Sequence, residues 1–176
     1  MNLLYKMTFE NSLSHFRSVF YYLIAIVVFV LVMAFIFGVS DLRAFIEIGV
    51  FFYGVLMVLP TIIIHLNYFF VNKNTEMVIY PEKESIRFFE KEAWKQFGFH
   101  EIEKIEVYMS PQLYRKSTGF TPWDSYHYTK LCLKDGKSLF ITCLMANEWD
   151  ILLNDLPRQI FQSQFPIVFM DRSKKN

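Results

Sequence analysis

Two stretches of sequence decide the fold: residues 18–40, SVFYYLIAIVVFVLVMAFIFGVS, and residues 48–72, IGVFFYGVLMVLPTIIIHLNYFFVN. They are 23 and 25 residues long, and neither contains Asp, Glu, Lys or Arg. A helix that crosses the hydrocarbon core of a bilayer needs roughly 20 predominantly apolar residues. The sequence therefore predicts two membrane-spanning helices, followed by a separate domain.

The link between the two stretches, residues 40–47, is too short for anything except an antiparallel helical hairpin. Pro60 stands inside the second stretch, where it removes one backbone donor and predicts a kink. The first stretch is longer than the usual apolar core of a signal peptide, and its end lacks an Ala-x-Ala-like site. We therefore expect it to be a retained span.

Basic residues near the spans predict the orientation. Lys6 and Arg17 precede the first span, Arg43 is alone in the link, and Lys73 follows the second span. The positive-inside rule then places both termini and the domain after residue 73 in the cytoplasm. We expect an integral protein of the cell's inner (plasma) membrane.

Residues 73–176 have the composition of an ordinary soluble domain. They hold 15 of the 18 Lys and Arg and 14 of the 17 Asp and Glu, so their formal net charge is 15 − 14 = +1. Nucleic-acid binding needs clustered basic residues, so a nucleic-acid partner is excluded. The two cysteines, Cys132 and Cys143, fit small buried residues in a reducing compartment.

After residue 75 the apolar period changes from helical to alternating, which is typical of half-buried strands. Asp135-Gly136 predicts a tight hairpin turn, because Gly tolerates a positive φ. The predicted strands are residues 75–80, 85–89, 93–97, 105–109, 126–133 and 139–144, with 165–170 as a further candidate.

A C-terminal amphipathic helix is predicted to follow these strands. Asn147 is a good N-cap, and Pro157 bends or ends the helix. The apolar stripe of this helix has i, i+3, i+4, i+7 and i+11 spacing and consists of Trp149, Leu152, Leu153, Leu156 and Ile160.

The predicted organisation has four parts. Residues 1–17 form an amphiphilic lead-in, which lies along the membrane surface or is a loosely ordered terminus. Residues 18–72 form the transmembrane hairpin, 73–170 the cytoplasmic domain, and 171–176 a polar tail.

Short antiparallel strands closed by one helix describe a PH-like β-roll. Trp94, the run Glu101-Ile102-Glu103-Lys104-Ile105, and Leu133-Lys134-Asp135-Gly136-Lys137 followed by Phe140-Ile141-Thr142 resemble the bacterial PH-like membrane proteins of the YcxB-like type. The resemblance covers nearly the whole chain. It implies a membrane α-helical hairpin followed by an α+β PH-like β-roll, and it implies no known chemistry.

The residue types that could carry chemistry do not form a recognisable site in the sequence. Lys83 and Arg87 are interleaved with acids, which makes a poor site for a phosphoinositide headgroup. His100 has no second histidine at metal-ligand spacing, and Ser125 with His127 lacks the separate elements that a catalytic triad needs. No nucleotide-binding glycine motif is present. We predict no catalytic residue, no metal and no cofactor.

The loop 110–125 is the best candidate for a contact with a partner or with the membrane. Its apolar and basic residues suit an interface or an anionic leaflet, namely Tyr114, Arg115, Lys116, Phe120 and Trp123. The alternative is a loop that folds over the open end of the roll. His65 and Asn67 are the strongly polar side chains in the second span, where a structural hydrogen bond is the favoured interpretation over a functional site.

Three classes of function follow from these residues. The favoured hypothesis is a membrane-tethered, non-enzymatic interaction module, whose roll holds an unidentified protein partner or the inner membrane surface. The alternative is a regulatory or sensor subunit of a larger membrane complex, with the hairpin as the binding element. An enzyme is the least favoured. The partners expected are therefore the lipid bilayer and a protein, and homo-oligomer formation is left open.

Overall fold

The structure is a computed structural model that describes residues 2–38, 42–90, 92–117, 119, 121–146 and 156–169. Within these residues, two helical arms packed side by side form a hairpin, and two four-stranded sheets form a domain at its base. We call the two sheets and their connections the roll.

The hairpin begins with helix α1, Phe9–Phe37. The hydroxyl of Thr8 caps α1 by accepting a hydrogen bond from the backbone N–H of Asn11 at 3.2 Å. The helix ends at Gly38, whose φ of +62° closes the last turn, as glycine allows. The return path consists of α2, Leu42–Tyr53, and α3, Leu59–Asn72.

A π-helical turn, Gly54–Val58, joins α2 to α3 without interrupting the helical path. The N–H of Leu59 bonds to the carbonyl of Gly54, five residues back. Pro60 follows at once and has no N–H to give, so the wider turn accommodates the missing donor. The predicted distortion at Pro60 thus takes the form of a π-helical turn.

Both arms of the hairpin are long and apolar enough to cross a membrane. In the most apolar 18-residue stretch of each arm, the mean hydropathy is 3.0 for Phe9–Phe37 and 2.1 for Ile46–Asn72. Only 11% and 22% of those stretches are buried within the protein. The hairpin therefore presents a largely uncovered apolar surface.

The first sheet has the order β1-β2-β3-β4, with every neighbouring pair antiparallel. Its strands are β1 Leu3–Lys6, β2 Glu76–Tyr80, β3 Ser85–Glu90 and β4 Ala93–Gly98. Since β1 precedes the hairpin and β2 follows it, the hairpin is inserted between two paired strands. Residues 1–17 were expected to be a lead-in on the membrane surface or a loose terminus. Instead, their described part forms a strand and the start of α1.

The second sheet has the order β7-β6-β5-β8. Three antiparallel strands are β5 Ile102–Met109, β6 His127–Leu133 and β7 Ser138–Thr142, and β8, Arg158–Gln162, adds to β5 in parallel. The alternation of apolar residues and the Asp135-Gly136 turn thus predicted the antiparallel strands correctly.

The C-terminal part differs from the sequence prediction. The predicted amphipathic helix falls largely on residues 147–155, which lie outside the described residues. Ile160, placed on the stripe of that helix, belongs to strand β8, because β5 offers a free edge that pairs with it. The candidate strand 165–170 is not a strand in its described part, residues 165–169.

Two apolar cores hold the described part of the roll. The first fills the space between the two sheets and is built on Met77, Ile79, Ile86, Ile105, Leu131 and Ile141. The second lies between the second sheet and the hairpin and contains Ile64, Tyr68, Trp123, Tyr126, Tyr128, Cys143, Leu144 and Val168. The base of the hairpin is therefore part of a core of the roll.

Candidate functional site

His65 of α3 lies at the meeting point of α1, α3 and the roll. Its Nδ1 is 2.9 Å from the hydroxyl of Tyr126, and its Nε2 is 2.9 Å from the hydroxyl of Ser12. A neutral imidazole offers one donor and one acceptor, and each hydroxyl can take either role, so both bonds can form. The ring of Phe16 packs edge-on at 4.4 Å between centroids. His65 thus joins three elements by hydrogen bonds.

Two asparagines of α3 pair with extended backbone of the roll. Asn67 accepts from the N–H of Val168 at 2.9 Å and donates to the carbonyl of the same residue at 3.1 Å. Asn72 accepts from the N–H of Thr142 at 2.9 Å and donates to the carbonyl of Phe140 at 3.0 Å. Each amide therefore supplies the donor and the acceptor that a neighbouring strand would supply.

The other arm of the hairpin, α1, is held by the loop that precedes β6. Ser18 donates to the carbonyl of Pro122 at 3.2 Å, and the Tyr22 hydroxyl donates to the carbonyl of Gly119. The side chains of His15, Ser18 and Tyr22 share one face of α1 because they are three and four residues apart. His15 Nδ1 lies 3.3 Å from the hydroxyl of Ser125, so the loop runs along this face.

Buried phenols and one thiol line the contact between α3 and the second sheet. Burial raises the pKa of Tyr126 and Tyr128 far above that of an ordinary phenol. Burial raises the pKa of the Cys143 thiol to about 12. All three groups are therefore neutral at physiological pH, and Cys143 is not a reactive thiolate.

The loop residues singled out from the sequence separate into two groups. Ser110 caps the short helix α4, Pro111–Tyr114, and Tyr114, Arg115 and Lys116 at its end are exposed. We call these three residues the α4 surface. Trp123 is only 5% exposed. Phe120 lies outside the described residues.

Trp123 is thus a core residue and not a surface contact. Its ring stacks on Phe165 at 5.3 Å between centroids, and it belongs to the core between the second sheet and the hairpin. Burial of a large indole favours this packing over exposure to water. The alternative interpretation of the loop, a segment folded over the roll, therefore describes Trp123, whereas the three residues of the α4 surface are exposed.

The family model for the PH domain matches residues 4–152. The chain belongs to the PH domain family. PH domains are in general non-catalytic interaction modules that bind lipids or proteins. No curated protein and no solved structure gave a match to the chain.

The match begins inside β1 and continues through the hairpin into the roll. This agrees with the pairing of β1 and β2 on either side of the hairpin, in which Lys6 lies opposite Glu76. The PH domain of this chain therefore includes its first strand and carries the hairpin as an insertion between strands.

A surface groove of about 780 Å³ lies where β1, α3 and β2 meet the turn between β3 and β4. Its charged lining residues carry both signs, with Lys6 and Lys73 set against Glu76, Glu90 and Glu92. A multiply charged anion requires an excess of cations, so this groove of the PH domain is poorly suited to one.

The described residues contain no group of three or more His, Cys, Asp or Glu that could hold a metal ion. The buried carboxylate of Glu106 has cationic partners instead, Lys104 at 2.7 Å and Lys130 at 3.1 Å. Burial raises the pKa of Glu106, but the hydrogen bonds from these two lysines outweigh burial and leave that pKa below its usual value. Glu106 is thus a structural anion of the second sheet.

Sequence reasoning missed most residues of the contact between hairpin and roll: Tyr68 and Asn72 on α3, and His15, Ser18 and Tyr22 on α1. The Tyr68 hydroxyl donates to the carbonyl of Pro166 at 2.6 Å. A signal was present, because Asn67, Tyr68 and Asn72 are polar groups near the end of an otherwise apolar run. The sequence could not show that their partners are backbone groups about 70 to 100 residues away.

Proposed function

We propose that this chain is a membrane-tethered, non-enzymatic interaction module whose PH domain is held at the cytoplasmic face of the inner membrane. The hairpin is the tether. The PH domain presents the α4 surface to a protein partner or to the inner leaflet.

The observation that carries the tether is the uncovered apolar surface of the hairpin. A helix of this hydropathy in the core of a water-soluble protein would be mostly buried. Here about nine tenths of the residues in the apolar stretch of the first arm, and about four fifths of those in the second, are not buried. Apolar area left in water costs about 25 cal/mol per Å², so such a surface requires a cover. A bilayer supplies that cover along both helices.

The junction between hairpin and PH domain supports a fixed orientation on the membrane. Asn72 ties α3 to strand β7 of the second sheet. His65, Asn67 and the loop along α1 tie both arms to segments that adjoin this sheet. The chain between α3 and β2 is only residues 73–75, and the N–H of Thr75 bonds to the carbonyl of Asn72 at 3.1 Å. The α4 surface therefore keeps a constant place relative to the hairpin.

The α4 surface suits recognition because it combines an aromatic ring with two cations. Tyr114 is 47% exposed, and Lys116 has a φ of +52°, so the backbone turns sharply at the end of this surface. Aromatic and Arg side chains are enriched among residues that dominate binding energies. Cations beside a membrane anchor also favour an anionic leaflet.

Cysteine labelling of intact cells tests the tether and its orientation. Arg43→Cys places a thiol in the exposed Arg43–Glu47 pair at the far end of the hairpin. We expect a membrane-impermeant maleimide to label it from outside, whereas Lys95→Cys on the PH domain should require permeabilisation. Labelling with the reverse pattern would overturn the orientation, and release of the protein by alkaline carbonate would overturn the tether.

Crosslinking in native membranes tests the α4 surface. Tyr114, Arg115 and Lys116 are replaced together by alanine. The control replaces Arg87, Trp94 and Lys95 on β3 and β4, which again are one aromatic residue, one Arg and one Lys. We expect the first variant alone to lose crosslinks to its protein partner or to anionic lipid.

Equal crosslinking by both variants would refute the role of the α4 surface. Loss with the control alone would move the contact to the surface of strands β3 and β4. Both variants change exposed or half-buried side chains and leave the cores untouched, so membrane content of the protein serves as the folding control.

A second candidate, a regulatory or sensor subunit that binds through its hairpin, is favoured by Gly54. A Cβ added at Gly54 would meet no atom within 4 Å, so this small residue faces open space on the apolar hairpin. Small residues allow close approach of another membrane helix. Under this function, Gly54→Leu should abolish co-purification with a membrane partner, whereas Val55→Leu next to it should not.

A further inference from the structure

The end of the apolar path along α2 and α3 coincides with a segment of the PH domain. Counted from Ile48, the first residue after the charged Glu47, roughly 20 residues cross the hydrocarbon core. That count reaches Asn67. If the hairpin spans the membrane, as proposed above, the hydrocarbon therefore gives way to headgroups near Asn67.

The C-terminal segment Phe165–Phe169 is fixed at this same depth. The N–H and the carbonyl of Val168 are both bonded to the amide of Asn67, at 2.9 and 3.1 Å. Tyr68, the next residue of α3, donates from its hydroxyl to the carbonyl of Pro166 at 2.6 Å. The segment is thus held against α3 where that helix leaves the membrane.

Two phenylalanines of this segment keep exposed ring surface. Phe169 is 80% exposed and Phe165 is 46% exposed, although Trp123 stacks on one side of the Phe165 ring. The exposed residues of α3 near this level, Ile63, Leu66 and Phe70, are also apolar. The exposed rings therefore belong to a segment that is held at the level of Asn67 and Tyr68, beside an apolar surface of α3 that continues to Phe70.

The sequence that follows the segment is basic. Arg172, Lys174 and Lys175 are accompanied by a single acid, Asp171. Aromatic rings followed by cations match the two layers of an anionic membrane surface, since rings favour the boundary below the headgroups and cations favour the headgroups themselves. Charge complementarity thus selects lipid, rather than a second protein, as the cover.

We propose that Phe165 and Phe169 insert at the boundary between headgroups and acyl chains, so that the C-terminal segment is a second membrane attachment of the PH domain. This inference rests on the proposed membrane tether. It assigns the cover of the exposed rings to anionic bilayer lipid and fixes which end of the second sheet faces the membrane.

Depth-dependent fluorescence quenching tests this attachment in the full chain, reconstituted into vesicles of phosphatidylcholine and phosphatidylglycerol. Phe169→Cys carries a bimane label, and the unmutated chain, whose Cys132 and Cys143 are buried, gives the background. The quenchers are a lipid with a nitroxide near the headgroup and iodide in water. We expect a blue shift of the emission and a greater loss of intensity with the nitroxide than with iodide.

Two further labelled positions separate this inference from the proposed tether. Gln96→Cys on β4 is the control for water and should be quenched mainly by iodide. Val28→Cys, exposed on α1, is the control for the hydrocarbon and should be quenched by a nitroxide deep in the acyl chains. Quenching of the Val28→Cys label by iodide would refute the tether itself.

With the hairpin label in lipid, two outcomes at position 169 overturn the attachment. Preferential quenching by iodide would place Phe169 in water. Protection from both quenchers would mean that protein, such as a second copy of the chain, covers the ring. Phe165→Cys repeats the measurement at the second ring and should give the same order of quenching.

Discussion

Replacing Asn72 by alanine should open the contact between the hairpin and strand β7. Asn72 is buried, and its amide bonds the N–H of Thr142 at 2.9 Å and the carbonyl of Phe140 at 3.0 Å. Thr142 is fully buried, so water cannot replace the lost partner of its N–H, whereas Phe140 is half-buried. A buried group left without a partner costs about 1–3 kcal/mol, and we expect ~2–3 kcal/mol for the pair.

Hydrogen exchange measured by mass spectrometry gives the readout for Asn72→Ala. Local opening governs exchange of a protected amide, so this loss should accelerate exchange of the Thr142 amide by roughly 30- to 150-fold. Asn74→Ala is the matched control, because Asn74 is exposed two residues away. Unchanged exchange at Thr142 in the Asn72→Ala protein would refute the claim that this amide holds the hairpin to the roll.

Three further predictions concern the roll. The pKa of Glu106 is lowered in the folded state. The ionised carboxylate therefore stabilises the fold in full above the pKa of about 4.3 in the unfolded chain, and this stabilisation is lost as pH falls through the lower pKa of the folded state. Glu106→Gln should flatten the acid side of the pH dependence of unfolding, followed by circular dichroism. Cys143, with its pKa near 12, should resist maleimide at pH 8 until the chain unfolds, and equal rates in native and unfolded protein would contradict its burial. Gly119→Ala places a Cβ 2.7 Å from that of Asp124 and should cost about 1–3 kcal/mol in thermal unfolding, whereas Gly54→Ala, in open space, should not.

The strands between residues 75 and 144 were predictable because each is a local pattern. Ile105 and Val107 are buried and face the core, and the Asp135-Gly136 turn sets the pairing of β6 with β7. A period of two fixes which face is buried and needs no knowledge of distant residues. The two apolar helices were predictable for the same reason, since length and hydropathy are local properties.

Strands β1 and β8 were not predictable from local sequence. Leu3–Lys6 is only four residues long, and its partner β2 lies beyond the hairpin. Ile160 fits a helical stripe in sequence, yet it lies in β8 opposite Val107 of β5. In both cases a free sheet edge from a distant part of the chain decides the local structure, because tertiary pairing overrides propensity.

The candidate site was predictable in composition but not in exposure. Aromatic and basic residue types identified the loop 110–125, and Tyr114 with its two basic neighbours is exposed. Trp123 has the same residue class as Tyr114 and the opposite environment, because Phe165, 42 positions later in the sequence, stacks on it. Burial of a loop ring depends on what the rest of the chain brings to it, and no local pattern contains that information.

Insertion of the hairpin between β1 and β2 has a mechanical consequence for the proposed tether. A hairpin appended to one end of a domain can pivot on its linker, whereas this one enters and leaves through two strands that pair with each other. The ladder from Leu3 opposite Ile79 to Lys6 opposite Glu76 closes the base of both arms. Displacing one arm relative to the other would break backbone bonds of the first sheet and the Asn72 contact with the second sheet. We therefore expect hairpin and PH domain to move as one body, so that the depth of the hairpin in the membrane sets the height of the α4 surface above it.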